Sequence, residues 1–189
     1  MVNKILMMVV ALLLTACVTQ DDELMPQSDR TTTVATGDLS FISANTKRFA
    51  LHPSVATVKV DERVDSDKLN VAMQSALIKV MQDKGYQQVT AQDSPDLLLG
   101  FGVALGSEMS DKEILKRAGL VAGLSEQGVD MSQYEKGSVM LVMFQPYQAM
   151  PAWRVLTQGF TDLAHQDGKR QPRLESLVNA MLKSVPNQD

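Results

Sequence analysis

The sequence predicts an α+β domain: a mainly antiparallel sheet of about five to six strands with two or three helices packed on it. Three observations lead there. Short apolar runs come in consecutive pairs with brief connections, which favours antiparallel hairpins. Two longer stretches carry apolar residues at helical spacing. The resulting order, β-β-α-β-β-(α)-β-β-α, stacks helices on a sheet and does not alternate them strand by strand.

Phe49 to Leu51 and Val55 to Val60 read as two short strands separated by His52-Pro53. Asp65 or Ser66 then caps a helix to Lys84, with Leu69, Met73, Ala76, Leu77, Val80 and Met81 as one apolar stripe and Gly85 as its left-handed stop. Tyr86 to Thr90 is a short strand. In Asp96 to Gly106, Leu97, Leu99, Phe101, Val103 and Leu105 alternate onto one face. The other face carries Leu98, Gly100, Gly102 and Ala104, so a neighbouring backbone is expected to come close there. Ser110 to Glu113 is a capping box that starts a helix through about Val121. Ser138 to Phe144 reads as a central strand covered on both faces. Trp153 to Leu163 is a long strand with a bulge expected at Gly159. "HQDGK" is a turn, and Pro172 opens a last helix whose stripe runs from Leu174 to Val185 before Pro186 ends it.

Ahead of the domain, Lys4 and the apolar run Ile5 to Leu14 have the layout of a secretory signal. The run is about ten residues, whereas a membrane-spanning helix needs ~20. Leu14-Thr15-Ala16 leads directly into Cys17, the only cysteine of the chain, and the four residues resemble the bacterial lipobox. The resemblance implies cleavage before Cys17, a diacylglycerol on its thiol and an acyl chain on its new amine. A thiol is the side chain nucleophilic enough to take the lipid as a thioether, and two or more acyl chains make an anchor stable. Val18 follows where aspartate would mark inner-membrane retention, so Gram-negative sorting, by analogy, places the protein at the outer membrane with its domain in the periplasm. The boundaries expected are a signal at 1–16, a lipidated N-terminus and flexible tether at 17–40, one domain at 41–186 and a tail at 187–189.

Several motifs fall in a familiar order. Asp83-Lys84-Gly85-Tyr86 follows the first helix, Asp96-Leu97-Leu98-Leu99 opens a strand, Gly137-Ser138-Val139 opens another, Trp153-Arg154 a third, and Val185-Pro186 closes the last helix. Together with the lipobox, they resemble the domain-of-unknown-function family four-one-three-six, a group of bacterial envelope lipoproteins, over Phe41 to Pro186. In that family a glycine follows the Trp-Arg pair at once; here it is displaced, with Gly159 as its counterpart. The resemblance implies a fold and an address, and brings no established activity.

Chemistry-bearing residues are sparse. The two histidines, His52 and His165, stand far apart and make no metal-ligand spacing, and no second thiol is present. Gly123-Leu124-Ser125-Glu126-Gln127-Gly128 is one residue too long for a nucleophile elbow. Gly100, Gly102 and Gly106 miss the dinucleotide spacing and lie within a strand. Asp61, Glu62, Asp65 and Asp67 could pair as glycosidase carboxylates, yet they lead into a helix N-terminus, where acids are stabilised anyway. The acidic run Asp21-Asp22-Glu23 matches no Ca²⁺ loop. Met140, Met143 and Met150 suit a core or an adaptable groove. Trp153 is expected in the core, with Arg154 facing out. Net charge is −4 with no basic stripe, against nucleic-acid binding.

The expectation is therefore a non-enzymatic envelope module with no cofactor beyond the lipid on Cys17. It is held to the membrane by that lipid and engages an envelope protein partner. A carrier or sensor of an apolar ligand, bound between the helices and the Gly-rich face of Leu97 to Leu105, is the alternative. A hydrolase using Ser125 with His165 is the remote one.

Overall fold

The computed structural model describes residues 29–162 and 170–188. The signal segment with Leu14, Thr15, Ala16 and Cys17, the stretch 18–28, and His165 with its turn lie outside the described residues. The fold is α+β: a six-stranded mixed sheet with helices on it, as expected. The strands are β1 (Thr31–Gly37), β2 (Arg48–Lys59), β3 (Gln87–Gln88), β4 (Leu97–Leu105), β5 (Tyr134–Phe144) and β6 (Trp153–Asp162). The helices are α1 (Ser66–Asp83), α2 (Asp111–Ala118) and α3 (Arg170–Met181). Among the described residues, no helix is long and apolar enough to cross a membrane.

The sheet order is β1-β6-β5-β4-β2-β3. β1/β6, β6/β5 and β5/β4 are antiparallel, whereas β2 runs parallel to both β4 and β3. Antiparallel pairing predominates, as expected, and the two parallel pairings of β2 are the departure from hairpin connections. α1 carries the chain back across one face between β2 and β4, and a crossover of that kind returns the next strand parallel.

α1 forms where its stripe predicts. Asp65 is the N-cap, accepting from the Lys68 N–H at 3.0 Å, and Met73, Ala76, Leu77, Val80 and Met81 are buried. They pack with Val178, Met181 and Leu182 of the α3 region onto Leu97, Leu99, Phe101, Leu141, Met143 and Trp153. Burying a side chain of this size contributes ~1.5–3 kcal/mol, so this layer is the main source of stability.

β2 is one strand, not two. Its register against β4 shifts between Leu51 and Ala56, and the irregularity lays Val55 over Gly100. A Cβ on Gly100 would stand 2.9 Å from the Val55 carbonyl oxygen, the backbone approach expected on the small-residue face, and 2.5 Å from the Val55 side-chain Cγ1. Gly159 makes no bulge: it sits in regular register between Gly137 and Thr31.

The second face of the sheet carries a thinner layer. Ser110 and Glu113 complete the capping box of α2, which ends at Ala118, three residues before Val121, because Gly119 turns left-handed at φ +72°. Ile114, Ala118 and Leu120 pack on Leu156, with Val34 and Met140 beside them. β5 is thus central and covered on both sides.

Two boundaries differ from expectation. Thr31–Gly37, expected in the tether, is an edge strand paired with Trp153 to Gly159 of β6, with Thr33 Oγ1 2.8 Å from Thr157 Oγ1. Residues 187–188, expected as a tail, are part of the fold. Gln188 donates its N–H to the Lys84 carbonyl at 2.7 Å and its side-chain amide to Tyr86 Oη at 3.1 Å, and is itself buried.

Candidate functional site

The motifs that suggested a family turn out to hold the fold. Gly85, at φ +89°, lets the chain leave α1 against the C-terminal segment, and Tyr86 donates its hydroxyl to the Pro186 carbonyl at 2.9 Å. Asp96 accepts the backbone N–H groups of Lys47 and Arg48 at 2.9 and 2.8 Å, fixing where β2 starts. Trp153 is in the core, while Arg154, on the other face, donates to the Ala118 carbonyl at 2.8 Å and satisfies the end of α2.

Other singled-out residues are equally occupied. His52 packs against Phe144, the rings tilted by 40° with centroids 4.8 Å apart, and accepts the Ser54 N–H through Nδ1. Ser125 is exposed in a loop; its Oγ accepts from the Gln127 N–H, and its carbonyl accepts from Arg30. Its expected partner His165 lies outside the described residues. Asp61 is bonded to Arg63, and that guanidinium holds its carboxyl below the usual range. Asp65 is a cap. Met143 is core, Met140 belongs to the α2 layer, and Met150 is exposed. Among the described residues, no group of three or more His, Cys, Asp or Glu side chains could hold a metal ion.

A polar cluster under α2 was not legible beforehand. Gln158, with no exposed surface, donates to Asp111 Oδ1 at 2.7 Å and to Ser138 Oγ at 3.1 Å, and its Oε1 accepts from the Leu124 N–H at 3.1 Å. Lys136 donates to Asp111 Oδ2 at 2.7 Å and to the Leu124 carbonyl at 2.9 Å. Burial pushes the Asp111 carboxyl up, but the bonds from Lys136 and Gln158 prevail and hold it below its ordinary value. The available signal was two polar residues two apart in β5, Lys136 and Ser138, with Gln158 directly opposite Ser138. No buried side-chain nitrogen or oxygen among the described residues lacks a partner. The cluster fastens α2 to β5 and β6.

Two concavities among the described residues bear on a binding site. A polar one of about 420 Å³ is bordered by Arg63, Ser107 and Glu135. Arg63 binds both Asp61 and Glu135, and Ser107 binds Glu135, so these three bordering groups are already bonded to one another. The other is a groove of about 570 Å³ between the sheet and the first turns of α1 and α3. Val103 and Leu105 of β4, Gly137 and Val139 of β5, and Thr157 and Gly159 of β6 lie along its floor; Leu69, Leu174 and Leu177 border it from the helices. Asp29, Asp162, Arg170 and Arg173 also line it. The apolar-ligand alternative expected a site on the Gly-rich side of β4. The groove lies instead on the Val103–Leu105 side, while on the glycine side Val55 packs against Gly100.

The edges of the sheet are unequal. On one side, β3 is two residues long, and the outer part of β2 carries Pro53 and Lys59. On the other, β1 is seven residues with neither a charge nor a proline, and no strand pairs with its outer edge among the described residues. Short strands, lysine and proline are the usual guards of an edge; β1 has none.

A family model described as "Domain of unknown function (DUF4136)" matches residues 35–187, beginning inside β1. No curated protein matches the chain. Among solved structures, a DUF4136 family protein from Bacteroides thetaiotaomicron superposes with a TM-score of 0.53 at 13% identity, covering 85% of this chain and 100% of that one. A PelC dodecamer from Paraburkholderia phytofirmans superposes with a TM-score of 0.51 at 12% identity, with the same coverage. At these identities the likeness is one of fold.

Proposed function

The chain belongs to the DUF4136 family, and on that premise we propose that it is a lipid-anchored envelope protein acting by binding or assembly, not by catalysis. Cys17 carries the lipid, the outer membrane is the address, and the domain works in the periplasm. The observation that carries the binding reading is the unguarded edge of β1. An open edge pairs with an added strand through main-chain hydrogen bonds, and alternate side chains set specificity. That a protein of the same fold forms a dodecamer supports an assembling role.

The test is photo-crosslinking in cells that make the anchored protein. A benzoylphenylalanine at Thr36, exposed on β1, is expected to give one discrete adduct, either with a second copy or with another envelope protein. The same group at Val71, exposed on α1, gives none. Adding two lysines to the edge, Ala35→Lys with Thr36→Lys, abolishes association without lowering the melting temperature of the domain. Equal labelling from both positions, or no adduct at Thr36, contradicts the edge reading.

A second reading, a carrier of an apolar ligand, is favoured by the groove. Its volume falls in the ~300–1,000 Å³ range of small-molecule sites, and its floor is mostly apolar.

A further inference from the structure

The floor of the groove contains a gap that packing does not require. Gly137 and Gly159 face each other across β5 and β6 on the side that carries the core. A glycine inside a strand weakens it by ~0.5–1 kcal/mol relative to alanine. At Gly137 no steric need offsets that cost: a Cβ there would meet only Leu105 Cδ2 at 3.9 Å and the Gly159 carbonyl at 4.0 Å, which is ordinary contact. Where backbone does press close, as at Gly100, the reason for glycine is visible. At Gly137 it is not, and the consequence of the missing side chain is an open trough.

The mouth of the trough carries charge of both signs. Arg170 and Arg173, one helical turn apart at the start of α3, line the groove together with Asp29 and Asp162. Asp29, Asp162 and Arg173 already have interaction partners, so a ligand head would join an existing network. Guanidinium groups take phosphate through paired N–H donors, and carboxylates take an ammonium.

Position adds the third argument. Thr31 pairs with Gly159 and Gly37 with Trp153, so the chain enters the domain at the groove end. A lipid anchor ahead of residue 29 would tie that end to the bilayer.

We propose that the groove binds a single-chain lipid with a zwitterionic, phosphate-bearing head, its alkyl chain over Gly137 and Gly159 and its phosphate at Arg170 and Arg173. This rests on the second functional reading and names its ligand class.

The test uses the mature chain from residue 17, kept soluble by Cys17→Ser, and a fluorescent lysophosphatidylethanolamine below its micelle concentration. Saturable binding is expected. Gly137→Val, which adds three carbons to the floor, weakens it by about tenfold or more, since even one methylene of misfit costs about tenfold, while the melting temperature holds or rises. Arg170→Glu with Arg173→Glu weakens the lysolipid but leaves a neutral fluorescent alkyl alcohol bound. If the alcohol binds and the lysolipid does not, the head-group class is overturned and the carrier reading stands; if neither binds, both fall. Binding indifferent to Gly137→Val overturns the site. Binding that appears only in a chain starting at Asp29 overturns the proposal in favour of the protein's own N-terminal segment. The β1 crosslinks are independent of every arm.

Discussion

Gln158→Ala is expected to cost about 2–4 kcal/mol and to release the α2 layer before the rest of the domain. The side chain has no exposed surface and makes three hydrogen bonds, to Asp111, Ser138 and the Leu124 N–H. Each lost bond is worth ~0.5–1.5 kcal/mol, a buried group left unpaired costs ~1–3, and the cavity adds to both. Asp111 is about two-fifths exposed, so water repairs part of the loss on that side, which keeps the estimate near the lower values. The apolar support of α2 is thin, essentially Ile114, Ala118 and Leu120 on Leu156. Hydrogen exchange should therefore show the Leu124 amide and α2 losing protection while α1 and β4 keep theirs. Gln158→Met, which retains most of the volume, should keep the same local pattern at smaller cost. Uniform loss across the domain would mean that the cluster is part of the global core and not a fastening for one layer.

Gly85→Ala is expected to cost about 3 kcal/mol or more. The residue sits at φ +89°, and the left-handed region costs an L-residue ~1–2 kcal/mol. A Cβ there would also stand 1.7 Å from the Gln188 carbonyl oxygen and 2.8 Å from its carbon, both backbone atoms with nowhere to go. The C-terminal segment must then lift, taking with it the bonds from Gln188 to Lys84 and Tyr86 and those from Lys84 Nζ to Val185 and Asn187. Gly123 supplies the control. It has φ +70° and nothing within 4 Å of its built Cβ, so Gly123→Ala should show the conformational cost alone, ~1–2 kcal/mol. Equilibrium unfolding in urea compares the two. Equal losses would show that the contact with Gln188 carries no weight.

What could be read beforehand followed how local each signal was. The stripe of α1 with its Asp65 cap, the capping box at Ser110 and the alternation of β4 depend on residues within a few positions, and all were legible. β1 was not, because three successive threonines and an alanine hide its alternation behind polar or small side chains, and a strand with one exposed edge needs little apolar surface. The parallel pairing of β2 was equally hidden, since it is decided by where α1 crosses the sheet. Gly159 suggested a bulge, but its regular place opposite Gly137 is visible only once β5 and β6 are in register. The cluster of Asp111, Lys136, Ser138 and Gln158 joins residues 20 to 47 positions apart, and no window of sequence contains it. The motifs that identified the family proved to be caps, strand starts and core, which is why they placed the fold without naming an activity.

The functional reading stands on the domain being held at a bilayer through Cys17, and metabolic labelling with a radioactive or alkynyl palmitate tests that directly. The full chain is expected to incorporate label and to fractionate with the outer membrane. Cys17→Ser should incorporate none and should retain the uncleaved signal, since processing before residue 17 follows the lipid. Label retained in Cys17→Ser, or a wild-type protein released unlabelled and soluble into the periplasm, would contradict the anchor and with it the membrane-facing placement of the groove.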